Sequence, residues 1–187
     1  MKYLLKIYFP PDFGFIIVLK YVKFVLKLKF NLKTYIIFLS VTFIWTLSIY
    51  LIPVFVSAGG VWEKIADYGY LFFASTCHQL DDRSFFIFGN KVAVCSRCAT
   101  VYSAFLTGII LYPLLRGLDN KKLPSVWILL LFALLLFLDA VLDALGILKN
   151  TFISRAITGS LIGFLLPFYL IPGTVNFANE IYDKLSK

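Results

Sequence analysis

The chain has 187 residues, 60% of them hydrophobic and 15% charged, with a net charge of +8. This excludes an ordinary soluble domain, and the 20 Phe and 11 Tyr exclude intrinsic disorder, which is poor in aromatics. With 3 Cys it is no secreted disulfide scaffold, and the positive charge reads as lysines holding apolar helices against anionic headgroups, not as a nucleic-acid surface.

Residues 1–34 form a basic amphipathic segment. Within it, Phe15 to Phe30 sets Lys20, Lys23 and Lys27 at i, i+3 and i+7 on one helical side, with Phe, Val, Ile and Leu around the rest. That pattern predicts a helix lying in the membrane interface. Pro10, Pro11 and Asp12 interrupt the apolar run ahead of it and no small-x-small site follows, so this is not read as a cleaved signal peptide.

A bilayer core about 30 Å thick needs about 20 residues of apolar helix, and the region 35–175 supplies four such spans. The first is 35–56. The second and fourth lie between charges, at 97–116 and 155–180. The third, 125–148, holds Asp139 and Asp143, and a carboxylate at the bilayer centre costs roughly 2.5 to 3.5 kcal/mol. Its charge-free first part spans the slab, so the carboxylates fall in its last turns, facing protein or water. Ala156, Gly159, Ser160 and Gly163 recur at helical spacing in the fourth span and allow close helix packing. Residues 176–187 form a short polar tail. The fold class is therefore an all-α membrane protein: four transmembrane helices, an N-terminal interfacial helix and a small Cys/His β-hairpin in the first loop, 57–98.

Four spans put both ends on one side. That side collects twelve of the 18 Lys and Arg, seven of them in the N-terminal segment, including Lys2 and Lys6. The bias places a multi-pass protein in the cell membrane with both termini cytoplasmic.

The stretch 57–97 carries the only histidine and two of the cysteines, and the third follows at once. Two runs of β-formers flank Gly89-Asn90, which predicts a hairpin pairing Phe88 with Lys91, Ser84 with Cys95 and Asp81 with Cys98. Cys77, His78, Cys95 and Cys98 then meet at the hairpin base. Three thiols and an imidazole suit tetrahedral zinc, closed and structural with four protein ligands or open to a substrate with three. Because Cys77 and His78 are adjacent, their side chains diverge in a regular strand, and Asp81 or water is an alternative fourth ligand. A second reading is redox: Cys95 and Cys98 cycle between dithiol and disulfide with Cys77 in exchange, as in enzymes that pass electrons to quinone. The odd number of cysteines stands against the usual two-pair relay. A third reading is a non-enzymatic assembly subunit with a protein partner or oligomer in the lipid bilayer.

Asp139 and Asp143 share one helical face, and Arg155 opens the fourth span on the same side. A polar pocket of Asp139, Asp143, Arg155, Arg97 and Arg83 beside the Cys/His site is expected. The plainer alternative is an Asp–Arg clip between helices.

The run Cys77-His78-Gln79, Arg83-Ser84-Phe85, Gly89, Val94-Cys95-Ser96-Arg97-Cys98, Val101-Tyr102, Asp139 and Arg155-Ala156-Ile157-Thr158-Gly159 resembles a family of small multi-pass membrane proteins of unknown function in bacteria and archaea. Ala93 and Thr100 depart from that family's proline and glycine, at turn and packing positions. The resemblance covers 75–163. It implies a membrane protein of that family and supplies no substrate, reaction or metal.

Overall fold

The structure, a computed structural model, describes residues 12–118 and 122–185. Lys2, Lys6, Pro10, Pro11, Lys121 and Lys187, used above for the N-terminal segment and the charge bias, lie outside the described residues. In chain order come α1 (Asp12–Ala58), α2 (Val61–Ala74), a 3-10 turn (Asp81–Arg83), β1 (Ser84–Ile87), β2 (Asn90–Cys95), α3 (Ser96–Arg116), α4 (Val126–Ala144), α5 (Phe152–Leu165) and α6 (Pro167–Leu185). Leu32–Ala58, Ser96–Arg116, Val126–Ala144 and Phe152–Phe177 are long and apolar enough to cross a membrane, and they match the four expected spans. Helix is the form an apolar run takes here, because backbone polar groups cannot be left bare in hydrocarbon.

α1 runs unbroken for 47 residues, so the N-terminal helix and the first span are one element and not two. Neither Gly nor Pro lies between Gly14 and Pro53 to end it. Gly59 and Gly60, at φ 68° and 63°, then turn the chain back. α2 packs antiparallel along the Ala58 half of α1, with Trp62 on Phe55 (5.1 Å between centroids) and Phe73 edge-on to Trp45 (5.2 Å). Between them a Cβ on Gly69 would stand 2.6 Å from Ile52 Cδ1, so glycine sets the approach. Trp45 is midway along 32–58, and the first connection therefore folds back deep against its span. The sequence shows α2 only as loop, because Glu63, Lys64 and Asp67 break its apolar run.

The hairpin forms, with Ser84 opposite Cys95 as counted, but Phe86 faces Lys91 and Ile87 faces Asn90. The turn is Phe88-Gly89, at φ 52° and 79°, and not Gly89-Asn90. Two successive positive φ values are what a primed turn requires. A bulge between Ser84 and Phe86 absorbs the offset and restores the register at the base. Asp81 does not pair with Cys98, since the 3-10 turn and the start of α3 end the ladder on either strand. Val92, Ala93 and Val94 are fully buried against Ile49, Ile52, Phe73 and Ala99, so β2 belongs to the core and is no solvated arm.

α3 and α5 run parallel and nearly touch. A Cβ on Gly159 would lie 2.6 Å from Thr100 Oγ1 and 2.8 Å from Arg97 O, and one on Gly163 would collide with the Val101 carbonyl. Ala156 and Ser160 from the same small-residue set turn away, into an apolar cavity of about 770 Å³ that Tyr50 and Phe132 also line. The fourth span is two helices, α5 and α6, because Pro167 has no N–H to continue the ladder. A second core, Ile109, Tyr112, Phe168 and Ile171 with Tyr35 and Phe38, closes the end of the bundle away from the hairpin.

Candidate metal centre

β2 ends at Cys95, the residue before α3, and Cys98 falls in the first turn of that helix. Cys-x-x-Cys thus bridges a strand end and a helix start. Cys77 arrives from the turn closing α2, where the N–H groups of Thr76 and Cys77 both donate to Phe73 O at 3.0 and 2.9 Å. The three Sγ atoms lie within 4.8 Å of one another. Thiolates about 2.3 Å from a tetrahedral zinc stand about 3.8 Å apart, so small side-chain adjustments bring this trio onto one ion. All three are free thiols, and Cys77 is buried. The N–H of Cys95 donates to Cys77 Sγ at 3.1 Å. Hydrogen bonds from the side chains of Cys95 and Cys98 hold the Cys77 thiol far below its ordinary pKa.

His78 stands outside this cluster. It is exposed and borders the cavity beside the thiols, as adjacency to an inward-pointing Cys77 requires. The next residue has the structural role instead. Gln79, at φ 53°, donates through Nε2 to Tyr70 O (2.8 Å) and Ala93 O (2.7 Å), tying the Cys77 turn to both α2 and β2. Tyr70 returns a hydrogen bond to Lys91 O. Lys91 Nζ holds Gln79 O (3.3 Å) and the Asp81 carboxylate (2.8 Å), so Asp81 serves the hairpin and not the thiols.

The carboxylates sit where the last turns of α4 meet this assembly. Asp139 accepts from Arg97 Nη2 (2.5 Å) and Thr158 Oγ1 (3.2 Å). Asp143 accepts from Arg83 Nη1 (3.1 Å), Arg155 Nη2 (3.4 Å) and the Asn150 amide (3.0 Å). Asn150 also donates through Nδ2 to Asp139 O (2.8 Å). All five residues of the expected polar pocket meet in one layer, joining the hairpin, α3, α4 and α5. Arg83, Arg97 and Arg155 line a cavity of about 380 Å³ together with Cys77, Cys95, Cys98 and His78; the two carboxylates stand behind the arginines. Thr158 and Asn150 complete the layer. Their hydroxyl and amide groups are common in any helix or turn, and a sequence does not set them apart.

Four membrane-length helices with a thiol cluster and an ionic layer at one end define a multi-pass membrane protein with a polar site at one face. The chain belongs to the family described as "Predicted membrane protein (DUF2085)", which matches residues 77–169, a stretch that opens on Cys77 and contains the three cysteines, His78, the three arginines and both carboxylates. The "Uncharacterized protein MJ1492" of Methanocaldococcus jannaschii is 38% identical over 155 residues, covering 81% of this chain and 97% of that protein. No solved structure matches.

Proposed function

We propose that the protein is a membrane metalloprotein in which Cys77, Cys95 and Cys98 bind zinc as thiolates and leave the fourth position facing the arginine-lined cavity. The observation that carries this reading is the gathering of three sulfurs within 4.8 Å from two separate stretches of chain. Three protein ligands with one open position is the pattern of zinc sites that activate water or polarise a substrate, whereas a fourth protein ligand makes a site structural. The Asp–Arg layer holds Arg97, one residue from the Cys98 side of the centre, and Arg155 in fixed orientations at the cavity wall. By the lysine and arginine bias, the site faces away from the cytoplasm and both termini lie inside.

The rival reading is thiol–disulfide exchange, in which Cys95 and Cys98 lose two electrons and two protons to a quinone. The Cys-x-x-Cys spacing of Cys95 and Cys98, both free thiols within 4.8 Å of each other and of Cys77, favours it. One experiment separates the two. Detergent-purified protein is analysed for metal and thiol state together, with the C95S/C98S variant alongside. About one zinc per chain, absent from the variant, supports the metal centre. A metal-free protein carrying a Cys95–Cys98 disulfide refutes it in favour of redox chemistry.

A further inference from the structure

Arg83, Arg97 and Arg155 bring three positive charges to one cavity whose lining, among the described residues, contains no Asp or Glu. Behind them Asp143 is shared by Arg83 and Arg155, and Asp139 serves Arg97. Asp82 is a third counter-charge, 3.6 Å from Arg83 Nε and too far for a hydrogen bond, and its side chain is 74% exposed. Two enclosed carboxylates therefore balance three guanidiniums. A three-thiolate zinc centre would carry one negative charge and offset that excess, so the surplus that persists in either state is one of donors. The Nε–H groups of Arg83, Arg97 and Arg155 are all buried without a hydrogen-bond partner, and Arg155 is 94% enclosed. Buried donors left without a partner are costly, more so when charged. The first turn of α3 adds its uncapped N–H groups, since no side chain caps it at Cys95.

We infer that this cavity is a binding site for a phosphate group, presented either by a lipid headgroup or by a soluble phosphate compound. Planar guanidinium forks match the several oxygens of a phosphate, and three of them from three elements make a site that a single carboxylate would leave half-filled. The inference does not require the metal.

The test is equilibrium binding of radiolabelled inorganic phosphate to the detergent-purified full chain, with phosphatidic acid in mixed micelles as competitor and R83Q and R155K as variants. R155K keeps a cation beside Asp143 while losing the fork and its Nε–H. Saturable binding of phosphate, weakened at least tenfold in R83Q and R155K at unchanged metal content, is the expected result. Displacement by phosphatidic acid assigns the site to a lipid headgroup, and failure of displacement assigns it to a soluble phosphate. Absence of saturable binding of both probes to the wild-type protein overturns the inference, as does binding by both variants as tight as that of the wild type. A protein that binds phosphate but no zinc removes the metal centre and leaves this site standing.

Discussion

Asp143 accepts from Arg83, Arg155 and the Asn150 backbone amide with only 8% of its side chain exposed, so its charge holds the enclosed Arg155 and the part-exposed Arg83 at once. Removing one partner of a buried ion pair is strongly destabilising, by about 3 to 5 kcal/mol, because the other charge is left uncompensated. Asp143→Asn is therefore expected to lower the detergent unfolding midpoint sharply, while Asp82→Asn, at an exposed surface, changes stability by about 0.5 kcal/mol or less. Equal midpoints for the two would contradict the ionic layer. At this scale the thiols and the acid–base residues are legible in the sequence, because cysteine and intramembrane charge are rare and costly. The place of His78 is not: it borders the cavity but falls outside the cluster of three sulfurs, and that depends on the turn at Cys77. Gln79 hides for a similar reason, since its clamp depends on a positive φ that the sequence does not announce.

The elements divide the same way. The four spans are legible because a charge-free stretch of membrane length has almost no alternative to helix. α2 is not, since its charges disguise it and only packing on Ile52 and Trp45 makes it an element. The hairpin is half legible: its existence follows from the two β-forming runs, while the Phe88-Gly89 turn and the bulge that returns Ser84 to Cys95 do not. Two substitutions test the packing. Gly163→Val drives a side chain into the Val101 carbonyl and should abolish monodisperse folded protein in gel filtration, whereas Gly173→Ala, with nothing within 4 Å of its Cβ, should behave as wild type. Gln79→Ala frees the Cys77 turn without touching a thiol. Outer partners of metal ligands typically contribute 10- to 100-fold in affinity, so this variant should bind zinc about 10- to 100-fold more weakly in chelator competition while keeping its unfolding midpoint within a few degrees.

Across the whole molecule, one end carries the thiols, arginines and carboxylates and the other an aromatic and aliphatic core, so function and membrane orientation are linked. The proposed orientation has the thiol end outside. A cysteine introduced at Lys149, in the exposed connection beside the ionic layer, should react with a membrane-impermeant maleimide in intact cells above the parent background, and one at Leu123 should react only after lysis. The reverse pattern inverts the topology and places the site in the cytoplasm. The account as a whole turns on what the three sulfurs hold, and zinc K-edge X-ray absorption of the purified protein reads that directly. Three sulfur neighbours at about 2.3 Å with one nitrogen or oxygen at about 2.0 Å are predicted. A spectrum with nitrogen and oxygen neighbours alone, or no stoichiometric zinc to measure, would contradict it.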